Sequence, residues 1–405
     1  MRYPIPRIEF LSDVKPYLDE NFYVQSKDGG YTVVNYLNNS HETFPDVRQF
    51  GVESLGNGEC EVVSQYNKAA TIRRECRGIL FDTETGRVIA RRFHKFFNLN
   101  ERLETAENNL PDKDQLVAYE KLDGSMVTPI YLQSGIRWGT KAGITDVSMQ
   151  AELFVAKNSN YQRLAELCQK IDLTPIFEWC SRKQKIVVDH PIDRLVLLDI
   201  RDMVTGEYVK RQKLIEISEE FDVELVKELN YNISNVKEKL SKNTSDEGVV
   251  LQYNDGHRVK VKTEWYVALH RAKEAITRER DVVMLIIDHK LDDLKPLLNV
   301  DDLGKINRYE KEFWKYVQNA ARDLELMHSY SKTLTRKDFA LNGKDSPFKK
   351  AMVFKLLDKT DKFEYFDEVV NSIRKYPVQG SAFTHKLHIF LEWNFDWKET
   401  EDVNA

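Results

Sequence analysis

Tyr119-Glu120-Lys121-Leu122-Asp123-Gly124-Ser125 is the stretch on which the reading of this 405-residue chain turns. The Asp-Gly pair marks a sharp turn. The run before it reads as a strand, so Lys121 is presented at a loop from which its amine can reach into a cleft. Alone the Lys-x-Asp-Gly pattern is weak, since average composition yields it in roughly one chain in ten of this length. Its neighbours must decide. A lysine amine kept neutral at pH 7 against an ordinary pKa near 10.4 costs about 4.6 kcal/mol. A nucleophilic lysine therefore needs nearby positive charge or desolvation.

Working outward, Val259-Lys260-Val261-Lys262 offers that charge: in a strand both ammonium groups share one face and the valines the other. Carboxylates occur in strands too. Glu178 lies inside Pro175-Ile176-Phe177-Glu178-Trp179-Cys180, a costly place for a charge unless the strand ends at a wet or metal-containing cleft. Glu247 opens Glu247-Gly248-Val249-Val250, where the glycine is expected to let a ligand approach the backbone. A turn lysine, a polar strand face and strand-end glutamates each have a plain structural reading as well. Their succession in one chain is harder to dismiss.

The first two thirds reads as short strands with helical connectors: Tyr31–Tyr36, Gly78–Phe81, Ile176–Trp179, Arg194–Ile200 and Gly248–Tyr253 are rich in β-branched and aromatic residues. Turn chemistry separates them at Thr85-Gly86, Ser134-Gly135, Thr205-Gly206 and Asn254-Asp255-Gly256. Around Thr263 the period changes. Apolar residues then recur at three and four, as in Leu285, Ile286, His289, Leu291, Leu294 and Leu297, and again in Phe313, Tyr316, Val317, Ala320 and Leu324. Two domains are expected, 1–265 and a helical 266–405, as the length suggests.

Composition removes other classes. With 41% hydrophobic and 31% charged residues the chain is neither disordered nor fibrous. Its longest aliphatic run, Val282–Ile287, is far below the roughly 20 residues of a membrane span. No secretory leader is read at Met1-Arg2-Tyr3-Pro4, and Cys60, Cys76, Cys168 and Cys180 form no C-x-x-C pair. Both points lead to a cytoplasmic expectation. Net charge is −5, so nucleic acid would be met through local patches. One candidate is Lys332, Arg336, Lys337, Lys344, Lys349, Lys350 and Lys355, interrupted by only Asp338 and Asp345; a solvated face is the alternative. His385 and His388 have metal-ligand spacing without a third ligand nearby, which favours a surface or core role. No Walker-type glycine loop appears, so a nucleotide would be held by side chains.

In order, Lys121-Leu122-Asp123-Gly124-Ser125, Phe177-Glu178, Glu247-Gly248-Val249-Val250 and Val259-Lys260-Val261-Lys262 resemble the successive motifs of the covalent nucleotidyltransferases, namely RNA ligases, DNA ligases and mRNA capping enzymes. With Arg74-Glu75-Cys76-Arg77-Gly78-Ile79, Lys95-Phe96-Phe97-Asn98-Leu99-Asn100, Thr205-Gly206-Glu207-Tyr208 and Lys262-Thr263-Glu264-Trp265-Tyr266-Val267, the chain is similar to the T-even-phage RNA ligase 1 family of tRNA-repair ligases. The likeness is dense over roughly residues 30 to 270.

The resemblance implies an α+β nucleotidyltransferase (ATP-grasp-like ligase) domain of antiparallel sheets around a cleft, then an all-α C-terminal domain that selects RNA. It implies an ATP-dependent RNA ligase joining 5′-phosphate and 3′-hydroxyl RNA ends through a lysyl-AMP and an RNA-adenylate, with Mg²⁺ or Mn²⁺. On this likeness Lys121 is the residue that takes AMP. Glu178 and Glu247 bind ribose or metal, Lys260 and Lys262 contact the α-phosphate, and Arg77 and Lys95 hold the triphosphate with Tyr36 and Phe97 beside them. Lys141 matches a further basic position, although Ala142 departs from the expected pattern. Asp123 either helps position metal or lysine, or only forms the turn. The RNA is expected to be tRNA, with a separate end-healing kinase and phosphatase. A DNA ligase, a capping-type enzyme and a non-catalytic RNA-binding module are the alternatives. The helical tail disfavours the first two, and the retained lysines and glutamates the third.

Overall fold

The computed structural model describes the chain apart from residues 1–2, 55–59, 111–115, 185, 232, 234, 299, 342–346, 360–362, 377–379, 394 and 396–405. Lys344 and Asp345 of the basic stretch thus lie outside the described residues. The chain divides into two compact units at Val267/Ala268, within the helix Glu264–Ala275 that starts where the hydrophobic period changes.

The first unit is built from sheets. One has the order Phe22–Lys27, Tyr31–Tyr36, Ile79–Asp82, Val88–Ala90; a second has Gly135–Gly139, Ser125–Leu132, Leu173–Cys180, Arg194–Asp202. The third places Glu228–Leu229, Leu116–Lys121, Gly248–Tyr253, Arg258–Lys262 and Phe97–Asn98 side by side. Arg48–Ser54 and Cys60–Tyr66 form a separate hairpin. Pairing is antiparallel except where Phe97–Asn98 joins Arg258–Lys262 in parallel. In that last strand Val259 and Val261 are buried while Lys260 and Lys262 are partly exposed, as the alternation requires.

Register fixes what meets at the strand ends. Gly248 lies opposite Lys121 on one side and Lys262 on the other, so Glu247, one residue earlier, falls between two lysines. The turn Leu122-Asp123-Gly124 carries the chain from the third sheet into the second, where Ser125 and Met126 pair with Trp179 and Glu178. Both glycines are obligatory here. A Cβ on Gly124 would stand 2.4 Å from the Trp179 carbonyl oxygen, and one on Gly248, at φ +146°, 2.1 Å from that of Val261. The space expected to admit a ligand at Gly248 is occupied by the neighbouring strand.

Below the strands lies a charged core. Glu75 accepts from Arg201 (2.7 Å to each oxygen) and from Arg91 Nε (3.0 Å), all three buried. Burial opposes the Glu75 charge, but the two guanidiniums outweigh it and hold its carboxyl below the usual range. The helix Lys68–Glu75 is thereby pinned to Arg194–Asp202, which fixes the start of the segment leading to Arg77.

The second unit is helical in all its described elements. Val300–Ser331 runs about 48 Å at 1.5 Å per residue. Its buried Ile306, Tyr309, Phe313, Val317, Ala320 and Leu324 recur at three and four, and Pro347–Leu357, Tyr365–Arg374 and Gly380–Leu391 pack on it. Glu279, buried in the helix Glu279–Ile287, accepts from Tyr309 Oη (2.6 Å) and His388 Nε2 (2.9 Å), joining three helices. His388 therefore serves the core, and His385 is exposed. His289, expected on the apolar stripe, instead ends its helix at φ 56° and is exposed, because the helix stops at Ile287. Among the described residues no helix is long and apolar enough to cross a membrane. Cys76, Cys168 and Cys180 are buried free thiols.

Candidate active site

Lys121 ends its strand with its side chain mostly covered. Its ammonium donates to Glu247 Oε2 at 2.5 Å, and Lys262 reaches the other oxygen, Oε1, at 3.0 Å. Burial disfavours the Glu247 charge, but these two cations overcome that and hold its carboxyl below the usual range. The effect on Lys121 runs opposite to the one expected. Burial favours the neutral amine, yet Glu247 first, then Glu178 and Asp123, outweigh it and raise the lysine pKa. The paired lysines do not shed its proton in this state, because the carboxylate between them lies nearer to the amine.

Glu178, across the turn on Leu173–Cys180, is pushed up to about 8 by burial, with Glu247 adding to the rise and Lys121 and Arg77 opposing it. Unlike Glu247, it lacks enough neighbouring positive charge to offset its burial and largely keeps its proton at pH 7. Among the described residues no three His, Cys, Asp or Glu side chains converge as a metal cage. The trio Glu178, Glu247 and Asp123 is not a preformed three-ligand site. Two of them fit a Mg²⁺-type ion differently, since that ion takes one or two carboxylates and completes its shell with water and phosphate oxygens.

Cations gather in the same neighbourhood. Burial lowers the Lys260 pKa well below its usual value, and Arg77, Lys95, Lys121 and Lys262 lower it further. Lys95 is brought to about 7 by burial, then by Arg77, with Lys141 adding and Glu101 opposing. Lys141 is likewise lowered by burial and Arg77. Tyr36 lies beneath two of these groups, with the Lys95 and Lys141 amines 4.8 and 5.6 Å from its ring centre. Arg77 donates to Met126 Sδ at 3.2 Å, beside Glu178 in the pairing register. Three lysines whose charge is disfavoured by burial and by Arg77 are built to receive an anion.

Two expected members take other parts. Asp123 is buried, with Oδ2 accepting from the amides of Val187 (2.7 Å) and Val188 (2.6 Å) and Oδ1 from Tyr266 Oη (2.8 Å). His190 Nε2 donates to its carbonyl at 2.6 Å. Both carboxylate oxygens are committed to holding the turn, so Asp123 positions Lys121 instead of offering itself to a metal. Phe97 is 1% exposed, with the guanidinium of Arg74 4.4 Å and that of Arg102 4.8 Å from its ring centre. It is a floor for cations, closed to a stacking base. Sequence reasoning missed Phe96, whose ring lies 4.7 Å from the Lys260 amine, and Tyr266, which holds Asp123 and stands 4.8 Å from the Lys262 amine. No local periodicity marks Phe96, which precedes the two-residue strand Phe97–Asn98 and follows a run of buried residues.

In the helical unit the basic stretch is thinner than its sequence suggests. Lys349 is buried between Asp323 (2.8 Å) and Glu392 (2.7 Å), and Arg336 is paired with Asp358 at 2.8 Å. Lys332, Lys337 and Lys355 are exposed.

Antiparallel sheets joined by a lysine-bearing turn, with two glutamates and a group of mutually repelling cations beside it, define a nucleotidyltransferase fold. The model of the RNA ligase family matches residues 75–266, and that of the T4 RNA ligase 1 C-terminal domain matches 273–380. The chain belongs to the T4 RNA ligase 1 family. A putative RNA ligase of Thermovibrio ammonificans is 30% identical over 57% of this chain and 60% of its own length. A putative bifunctional polynucleotide kinase/RNA ligase of Autographa californica nuclear polyhedrosis virus is 25% identical over 55% of this chain and 34% of its own. The chain thus spans less than two thirds of either relative. Among solved structures, an archaeal ATP-dependent RNA ligase superposes over 77% of this chain and 79% of its own at 14% identity, with a TM-score of 0.45.

Proposed function

We propose that the chain is an ATP-dependent RNA ligase whose nucleophile is Lys121. The observation that carries this reading is the cluster itself: one amine at a rigid turn, two glutamates beside it, and Arg77, Lys95, Lys141 and Lys260 pressed together as a triphosphate would require. The Lys121 amine, once deprotonated, attacks the α-phosphorus of ATP. A P–N bond forms, the bond to the bridging oxygen breaks and pyrophosphate leaves. An RNA 5′-phosphate oxygen next attacks the same phosphorus, breaking the P–N bond and returning the lysine. Finally an RNA 3′-hydroxyl attacks the 5′-phosphorus, forming the phosphodiester and expelling AMP. Such transfers ask the protein chiefly for alignment and charge neutralisation.

Glu178 and Glu247 are the residues that would hold Mg²⁺ or Mn²⁺, which supplies charge neutralisation at the phosphates when bound. Before transfer, Glu247 must exchange the Lys121 ammonium for another cation, since their ion pair blocks the lone pair. Residues 1–265 would be the adenylyltransferase domain and 266–405 the domain that selects RNA, with broken tRNA as the substrate. The name of the viral kinase/ligase relative is consistent with ends prepared by a kinase. Incubation with α-labelled ATP and Mg²⁺ should leave an acid-labile AMP on the wild type and none on Lys121→Ala. A label that survives the substitution removes the proposal. Competition of GTP with ATP, and of nicked DNA with single-stranded RNA, separates the capping-type and DNA-ligase alternatives.

A further inference from the structure

The helical unit contains a groove that the ligase chemistry does not use. It is a cavity of about 530 Å³ floored by Ile287 and Val370, a volume typical of small-molecule sites. Three rings line it. Trp314 comes from Val300–Ser331 and Phe366 from Tyr365–Arg374, with ring centres 5.6 Å apart and planes at 27°. His289 continues the stack on Trp314, at 6.2 Å and 18°.

The position of His289 is itself a cost. It occupies the left-handed conformation just past the helix Glu279–Ile287, at φ 56°, where glycine is the strain-free choice. Its amide and that of Lys290 close the helix on Ile286 and Leu285. The cost places an imidazole, exposed, at the end of an aromatic stack whose other two members are half-buried.

Charge at the rim decides what such a groove can hold. Arg374 is fixed by Asp288 (2.6 Å) and by the Ile287 carbonyl (3.3 Å), so its charge is already balanced. Asp367 also lines the cavity, and the exposed amide of Asn371 stands beside it. A phosphate would meet more negative charge than positive here. A flat, uncharged ligand with donors and acceptors on its edge would find ring faces for its plane and Asn371, Asp367 and Arg374 for its edge. Unstacked RNA bases are recognised by this combination of aromatic faces and polar edge contacts.

We propose that this groove binds an unpaired nucleobase of the RNA that the enzyme ligates. The proposal rests on the RNA-ligase reading and deepens it. The test uses the full-length chain and single-stranded 5′-phosphorylated RNA. Trp314→Ala and His289→Gly should each weaken RNA binding and raise the KM for RNA about tenfold, while the rate of Lys121 adenylation stays at the wild-type value and Trp314→Phe restores affinity. Glycine suits the backbone at position 289, so that variant stays folded even if Trp314→Ala does not. RNA carrying 5-bromouridine should photocrosslink to a peptide containing Trp314 or Phe366. RNA affinity unchanged in the folded His289→Gly protein, or crosslinks confined to other peptides, overturns the groove. A wild-type chain that takes up no AMP would instead sink the ligase reading, and RNA binding measured directly would still judge the groove.

Discussion

Lys121 and Glu247 bind each other in the resting site, and the sign of that interaction can be measured. Glu247 raises the lysine pKa, so the fraction of neutral amine at a given pH is smaller than for an isolated lysine. Removing the charge reverses the shift. In Glu247→Gln the pH midpoint for acylation of Lys121 by an amine reagent, mapped by mass spectrometry in ATP-free protein, should move down relative to wild type. An unchanged or higher midpoint would mean that the ion pair does not control the amine. The cations beside it behave conversely. Lys95, near 7, is largely neutral at pH 8, and Lys260 is lowered in the same direction, because burial and their neighbours disfavour the charge. A bound triphosphate raises both pKa values, so ATP binding should take up protons and weaken as pH rises through this range. Calorimetry of ATP binding to Lys121→Ala without metal, since a divalent ion would displace the proton held by Glu178, should report net uptake in buffers of different ionisation enthalpy. Net release, or none, would place the triphosphate elsewhere.

At the level of strands, the sequence foretold which segments would be extended better than it foretold what they would hold. Gly248–Tyr253 and Tyr31–Tyr36 have the expected bounds, since β-branched runs between turn residues are a local signal. Alternation likewise assigned Lys260 and Lys262 to one face. The commitment of Asp123 to Val187, Val188 and Tyr266 spans 64 to 143 residues of sequence separation, and no local pattern encodes it. The direction of the Lys121 shift was misread for the same reason: it depends on Gly248 pairing with Lys121 and Lys262 at once, which places Glu247 between them. That register rests on one glycine. Gly248→Ala would set a methyl against the Val261 carbonyl at a positive φ and should destabilise the protein by about 2–4 kcal/mol, with loss of adenylation. Gly30→Ala, also at positive φ but facing no atom within 4 Å, should cost only about 1–2 kcal/mol and leave adenylation intact. Equal denaturation midpoints for the two variants would show that the clash is relieved by movement of the strand pair.

Over the whole molecule, a chain of net charge −5 repels a polyanion on average, so any RNA affinity must come from local fields. On the proposed reading the nucleotide-side cations serve the triphosphate, and the helical unit would provide further phosphate contacts. There the sequence overstated the supply, because Lys349 and Arg336 are already neutralised by Asp323, Glu392 and Asp358. Lys332, Lys337 and Lys355 remain exposed. If they face phosphates, each releases condensed counterions on binding, and the dependence of log affinity on log salt records their number. Replacing all three with alanine should make that slope shallower by about 2 for tRNA, with weaker binding at low salt and convergence with wild type at high salt. Adenylation of Lys121 should be unaltered, since these residues belong to the other unit. A slope equal to that of the wild type would identify the three lysines as a solvated face, and phosphate contact would then have to come from the unit that carries Lys121.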